Sequence, residues 1–245
     1  MNILYLDESE IGAPLPRGDR RREHVARILK KKQGEVLAAG CSDGTLGQAR
    51  IEVISEDSLV LSYSAQSQAP SLRPVRLLMG FPRPIQAGRI LKDLTSLGVA
   101  EIWFTLSDLG DKSYAESTFF KKGEYGTHLI EGAEQAGNPR LPAIGSFWSI
   151  DRACAALELA DGEGGASSLR LIFHPDPSLP RIATLPSLEA PVTIAIGSER
   201  GWTQRELELL GSHAFTACYL GDRILKTETA AVAAVSIILS SLGYM

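Results

Sequence analysis

The rhythm of apolar positions changes near residue 72. Before that point, short apolar runs at 3–6, 36–39 and 58–63 have strand length, and Asp43-Gly44 supplies a turn signal. One helix is expected among these strands. Val25, Ile28 and Leu29 give an i, i+3, i+4 stripe and leave Arg22, Arg27, Lys30 and Lys31 mostly off that face. Residues 1–72 therefore read as a small β-barrel with one basic helix. The stretch 64–74, rich in Ser, Gln and Pro, reads as a linker.

Beyond the linker, apolar runs at 75–79, 101–105, 143–147, 169–173, 192–196 and 215–220 alternate with helical stretches. The expected helices include 86–97, stopped by Gly98, a long one running towards Gln135, and an almost wholly apolar one at 230–239. Apolar strands without a two-residue pattern, separated by helices, imply a parallel sheet covered on both faces. Residues 73–245 are thus expected to form an α/β domain. The run 161–168 holds three glycines but follows a helix and lacks the glycine spacing of a dinucleotide-binding turn, so a loop is expected there.

Composition adds limits. A chain of 245 residues, 44% hydrophobic, can bury a sizeable core. Its first residues show no basic-then-apolar signal pattern, and no stretch reaches the roughly 18 apolar residues of a membrane span, so a cytoplasmic protein with no membrane partner is expected. Cys41, Cys154 and Cys218 are scattered without metal-ligand spacing, which fits buried thiols in a reducing compartment. The net charge of -4 argues against a polyanion as partner, but its distribution does not. Eight cations and two carboxylates fall between Arg17 and Lys32, so this segment carries +6 and the remainder -10. Arg20, Arg21, Arg22, Arg27, Lys30 and Lys31 are candidates for holding RNA phosphates; a solvated helix face is the other reading.

Open parallel sheets bind ligands beyond the carboxyl ends of their strands. Three turns there carry candidate chemistry. Phe173-His174-Pro175-Asp176-Pro177 is a rigid turn after a buried strand. Residues 194–203 run from an apolar strand through Gly197 and Gly201 into a helix whose start is marked by a Thr203–Glu206 capping box. Glycines there let the backbone approach a ligand, although glycine turns between strand and helix are common. In the third turn, residues 220–229, Arg223, Lys226 and Glu228 crowd one turn before the apolar helix, where charges near a core need partners. Thr227 and Thr229 suit helix capping as well as ligand binding.

At these residues the chain resembles the ribosomal RNA uridine-N3 methyltransferases of the RsmE type, members of the SPOUT methyltransferases. That family shows Ile-Gly-Pro-Glu-Gly-Gly in the second turn, where this chain has Ile196-Gly197-Ser198-Glu199-Arg200-Gly201. In the third it shows Leu-Gly-x-Arg-(Ile/Val)-Leu-Arg-Thr-Glu-Thr-Ala, here Leu220-Gly221-Asp222-Arg223-Ile224-Leu225-Lys226-Thr227-Glu228-Thr229-Ala230. His24-Val-Ala-Arg27-Ile-Leu29-Lys30, Gly34 and Asp43-Gly44 resemble the family's N-terminal RNA-binding barrel. The resemblance implies a SPOUT-type parallel sheet with a C-terminal trefoil knot, a PUA-like barrel and a homodimer, with the final apolar helix at the interface or in the core. It implies S-adenosyl-L-methionine as cofactor, held by His174, Ile196, Gly197, Glu199, Gly201, Leu220, Gly221, Ile224, Leu225 and Thr227, and no metal. The implied substrate is a uridine in small-subunit ribosomal RNA, free or in the assembled small subunit. Arg223, with Lys226 second, would stabilise the uracil as its N3 proton leaves, and Glu228 would orient Arg223 or take the proton.

Departures from the family pattern fall mainly outside the third turn. Arg200 replaces a glycine, at about 1 kcal/mol or more if that position needs a positive φ. Lys92 and Asp93 stand where Gln-Lys is usual, with Ser96 for the following glutamate. Glu134-Gln135 is kept, Asn138 replaces an arginine, Arg140 keeps the next one, and Ser107-Asp108-Leu109-Gly110 lacks a Glu-Arg-Ser. Cofactor positions are thus better kept than those assigned to the RNA. Two alternatives follow: an enzyme of this superfamily acting on another RNA or another atom, and a non-catalytic RNA-binding relative.

Overall fold

The computed structural model describes residues 2–162, 169–182 and 189–245. Two compact units divide the chain, residues 1–71 with 130–141 and residues 72–129 with 142–245.

The first unit holds a mixed sheet of β1 (Leu4–Leu6), β2 (Pro14–Pro16), β3 (Val36–Cys41), β4 (Thr45–Ile54) and β5 (Ser58–Gln68), in the order β1-β3-β4-β5-β2. β1 lies parallel to β3 and the other pairs are antiparallel. Leu6, Val25, Ala49, Ile51, Leu59 and Leu61 close the core of this unit. The Asp43-Gly44 turn forms as its residues dictate: Gly44 takes φ 84° and the Asp43 carboxylate accepts the Thr45 N–H at 2.8 Å.

Two expectations fail here. Most of the supposed linker is strand, because β5 runs on to Gln68 and pairs Ser64 with Gln48 and Gln68 with Thr45. Gly47 permits that pairing, since a Cβ there would lie 2.0 Å from the Ser64 carbonyl oxygen. Polar composition in this stretch reports exposure of the strand, not lack of structure. The basic helix also departs from its expected form. α1 (Arg20–Glu23) continues as a π-turn over His24–Ile28, and this wider winding spoils the 3.6-residue stripe. Val25 is buried, but Ile28 is 69% exposed and Leu29 44%.

In the second unit β6 (Arg73–Gly80), β7 (Val99–Thr105), β8 (Ala143–Phe147), β9 (Leu169–Phe173), β10 (Val192–Ile196) and β11 (Phe215–Cys218) form the expected parallel sheet, in the order β11-β9-β10-β6-β7-β8. α2 (Pro84–Leu97) ends where Gly98 takes φ 80°. The single long helix expected before Gln135 is instead three: α3 (Lys112–Ala115), α4 (Thr118–Lys121) and α5 (Gly126–Ala136). Asp111 caps α3 by accepting the Ser113 N–H, and Gly123 at φ 70° turns the chain after α4.

α6 (Ile150–Gly162) and α7 (Gln204–Ser212) contribute Ala153, Leu157 and Leu210 to a cluster with Leu78, Trp103, Ile172 and Ala195 of the sheet. α8 (Thr227–Ser241) packs on α2, β6 and β10. Helices on both faces leave β10 wholly buried, which accounts for its unbroken apolar run. Asp161 and Gly162 close α6, and the rest of the expected loop, 163–168, lies outside the described residues. Among the described residues no helix is long and apolar enough to cross a membrane.

Candidate functional site

β9, β10 and β11 end level with one another, Phe173 pairing with both Ile196 and Cys218. Their three outgoing turns consequently begin side by side at the carboxyl end of the sheet, where an open parallel sheet leaves a crevice.

The turn after β10 is the tightest. Gly201 donates its N–H to the Ser198 carbonyl at 2.9 Å and takes φ 73°. A Cβ on Gly197 would lie 2.6 Å from the Gly201 carbonyl carbon, and one on Gly80 2.5 Å from the Ser198 nitrogen. Both are backbone contacts that cannot yield cheaply. Arg200 does not carry the strain expected of it: among the described residues only Lys30 and Ala214 are non-glycines with positive φ.

The capping box forms, with Thr203 Oγ1 accepting the Glu206 N–H and Glu206 Oε2 accepting the Thr203 N–H. Glu206 is fully buried and its other oxygen accepts the Asp108 N–H at 2.8 Å. Asp108 in turn receives Arg205 at 2.6 and 2.8 Å and the Thr203 hydroxyl; the Arg205 hydrogen bond holds its carboxyl below the ordinary value. Asp108 therefore braces the start of α7.

The turn after β9 is pinned by the His174 N–H, which donates to the Cys218 carbonyl at 3.0 Å. Burial pushes the Cys218 thiol up to about 12 and that of Cys154 up to about 11, so neither supplies a thiolate near neutral pH. The turn after β11 differs from expectation. Arg223 and Lys226 are exposed rather than held against a core, and the side chains of Arg223, Lys226 and Glu228 make no hydrogen bond or ion pair among the described residues. The burial argument for pairing them does not apply. Nor do the threonines cap: the N-cap position of α8 is Lys226, without a side-chain cap, and Thr227 is the buried first residue of the helix.

One cleft of about 140 Å³ gathers these turns. It is lined by His174, Ile196, Gly197, Glu199, Gly201, Leu220, Gly221, Ile224, Leu225 and Thr227, every residue expected around the cofactor, and by Arg223. Lys226 and Glu228 are not in its lining. Trp202 also lines it; it stands in the second turn, but its neighbours alone did not mark it.

Two features suit a polar ligand with an apolar body. His174 Nδ1 and Trp202 Nε1 are buried without a hydrogen-bond partner, and Phe173, Ile196, Leu220 and Leu225 supply apolar wall. Unpaired buried donors and acceptors are costly in a finished core and are found where a ligand completes them. Gly221 has nothing within 4 Å of the position a Cβ would take, so its backbone is open to approach.

The basic segment is arranged differently from its expected role. Arg21 is buried, with Nη1 and Nη2 on Glu10 at 2.6 and 2.7 Å, Nη2 on Asp19 at 2.8 Å and Nη1 on the Tyr5 carbonyl. Arg22 is buried too and donates to the carbonyls of Ser55 and Glu56. Neither guanidinium is free for phosphate, because the Nη donors already serve carboxylates and carbonyls of the same unit and Arg22 Nε, although unpaired, is buried. Arg20 reaches Glu134 at 2.6 Å, Arg27 reaches Glu23 at 2.8 Å and half-buried Lys31 reaches Glu35 at 3.1 Å, so of the original six only the exposed Lys30 side chain has no ion-pair partner among the described residues.

Glu134 is likewise structural. Only 2% exposed, it accepts Arg20 and the Tyr5 N–H, while Asn138 and Arg140 bind the carbonyls of Pro70 and Ala69. These polar residues, assigned to the RNA side, fasten segment 130–141 within the first unit.

A parallel α/β sheet whose last three turns gather around a cleft at its carboxyl end defines a class of ligand-binding α/β protein, and residues 69–239 match the family model of the RNA methyltransferase domain. A protein of Treponema pallidum named ribosomal RNA small subunit methyltransferase E is 36% identical over 98% of this chain and 91% of its own length. Ribosomal RNA small subunit methyltransferase E 1 of Borreliella burgdorferi is 29% identical over 99% of each chain. The solved structure of ribosomal RNA small subunit methyltransferase E from Neisseria gonorrhoeae, bound to S-adenosyl methionine, shares the fold at a TM-score of 0.73, with 21% identity over 99% of this chain and 98% of that one. The chain belongs to the RNA methyltransferase family, in its RsmE-type branch.

Proposed function

We propose that the protein uses S-adenosyl-L-methionine to methylate N3 of a uridine in small-subunit ribosomal RNA, free or in the assembled subunit. The observation that carries this is the convergence of all ten expected cofactor residues on one cleft that also includes Arg223. Residues 1–72 take the part of a PUA-like RNA-binding barrel and residues 73–245 that of the catalytic domain. A trefoil knot is supported by the path from β11, at the sheet edge, back to α8, which packs against the central strands β6 and β10. Ile224, 87% exposed, and Leu225 suit burial in a homodimer acting in the cytoplasm.

Bound S-adenosylmethionine supplies an electrophilic methyl group on a sulfonium sulfur. The chain's part is alignment and electrostatics. Backbone groups of the turns at Gly197–Gly201 and Leu220–Leu225 would hold the cofactor, with His174 Nδ1 and Trp202 Nε1 completing it as partners. Arg223, exposed and unpaired among the described residues, is free to lie against uracil oxygens and favour loss of the N3 proton. Lys226 adds positive potential from outside the cleft lining. Glu228 makes no side-chain contact with Arg223 among the described residues that would orient it, which leaves Glu228 the role of proton acceptor from outside the cleft lining.

The test is to incubate protein, cofactor and small-subunit ribosomal RNA, digest the RNA to nucleosides and weigh the product. 3-Methyluridine supports the reading. Another methylated nucleoside moves the chain to a different atom, and cofactor binding without transfer makes it a non-catalytic relative.

A further inference from the structure

A second cavity, about 370 Å³, adjoins the cofactor cleft and shares Ser198 and Glu199 with it. Three loops wall it: Arg83 before α2, residues 109–114 after β7, and residues 198–200 after β10. Cross-bonds join these loops. The Arg83 N–H donates to Glu199 Oε1 at 3.1 Å, Arg83 Nε donates to the Tyr114 hydroxyl at 3.0 Å, and Ser107 Oγ donates to Ser198 Oγ at 3.2 Å.

Its charges are unequally engaged. Asp111 accepts the Ser113 N–H at 2.9 Å, and that hydrogen bond, with Arg200 and Arg83 nearby, holds its carboxyl below the ordinary value. Glu199 is engaged by the Arg83 backbone. The side chains of Lys112 and Arg200, by contrast, have no hydrogen-bond or ion-pair partner among the described residues. Three cations thus meet two carboxylates that are already bonded, leaving two donors facing the cavity without acceptors. A site of this kind suits an anionic oxygen group.

Arg200 is one of the residues at which this chain departs from its family's pattern, and it stands in the cavity beside Leu109 and Gly110, part of the segment that lacks the family's Glu-Arg-Ser. Its backbone is unstrained, so a side chain is tolerated where the family has glycine. We propose that Arg200, with Lys112 and Arg83, forms a phosphate-binding subsite that holds the substrate RNA next to its target nucleotide, the cation coming here from the β10 turn instead of the β7 turn. This rests on the methyltransferase reading above. The shared Ser198–Glu199 wall places a bound phosphate directly beside the cofactor cleft. Arg200 and Lys112 are positioning residues, since they touch the RNA backbone and not the reacting atoms.

The experiment compares wild type with Arg200→Gln, Lys112→Gln, the double variant and Arg200→Lys. RNA affinity is measured without cofactor, on transcribed small-subunit ribosomal RNA across a salt series, and KM for RNA is separated from kcat. Cofactor affinity is followed by calorimetry. The double variant should bind RNA roughly tenfold more weakly. Its salt slope should flatten by about one for each cation removed. KM should rise far more than kcat falls, cofactor affinity should stay unchanged, and Arg200→Lys should recover most of the salt slope. A folded double variant with wild-type RNA affinity and salt slope overturns the subsite. Wild-type protein that binds RNA but transfers no methyl group overturns the enzymatic reading instead, and leaves the binding comparison to decide the subsite.

Discussion

The basic segment around α1 and the turn after β11 both presented charge in the sequence, and the structure treats them in opposite ways. Arg21 and Arg22 sit inside their unit on carboxylates and carbonyls, whereas Arg223, expected against a core, stands exposed at the lining of the cleft. A run of cations measures formal charge, not available charge. Which donors remain for a ligand depends on carboxylates from distant parts of the chain, such as Glu10 and Glu134.

The largest expected effect tests that contrast at Arg21. Replacing it with Ala should destabilise the protein by about 3 kcal/mol, because the half-buried Glu10 and Asp19 carboxylates lose their cation, and thermal unfolding would read it. RNA affinity should move little; a loss of affinity in a fully stable variant would return Arg21 to the RNA surface. The same cluster predicts an acid limb. Glu10 is held below its ordinary value by the Arg21 hydrogen bond, so its stabilisation is present above the unfolded pKa and is lost as pH falls below about 4. Unfolding midpoints measured between neutral and acid pH should show that limb in wild type and a weaker one in Arg21→Met.

Gly197→Val comes next. Its Cβ would meet the Gly201 backbone, so the turn must open and cofactor affinity should fall by about a hundredfold in calorimetry. Unchanged binding would remove this turn from the cofactor site. Arg223→Ala should be folded, bind cofactor normally and transfer methyl about a hundredfold more slowly in single turnovers. If stability and cofactor binding fell together instead, Arg223 would be a structural residue like Arg21. The smallest effect is expected from Arg27→Gln, Lys30→Gln and Lys31→Gln combined, the cations at the C-terminal end of the basic segment that no buried carboxylate holds. RNA affinity should weaken by roughly tenfold or less, with a flatter salt dependence and no change in stability.

Much of the second unit was legible because its signals are local. All six of its strands match their apolar runs within about two residues at each end, since strands of a parallel sheet covered by helices read as continuous apolar runs. The Thr203–Glu206 box and the Gly98 stop depend on residues within one turn of each other. The first unit was harder to read. Gln48-Ala49-Arg50-Ile51-Glu52 alternates as a half-buried strand should, yet β4 was not singled out, and polar β5 passed for a linker until its ladder with β4 appeared.

The sequence by itself determined the parallel α/β class, the three turns at the carboxyl ends of its strands and the residues that meet in the cleft. The class and the turns follow from periodicity and from short motifs whose partners lie a few positions away, and the residues of the cleft from the resemblance of those turns to the RsmE-type family. Only the tertiary structure decided which charges are free. Arg21 and Arg22 are engaged, Glu134 fastens segment 130–141 to its unit, and Arg200 faces a cavity with Arg83 and Lys112. Their partners lie as far as 114 positions away, between Arg20 and Glu134, and electrostatic pairing depends on distance in space, on which separation along the chain is silent.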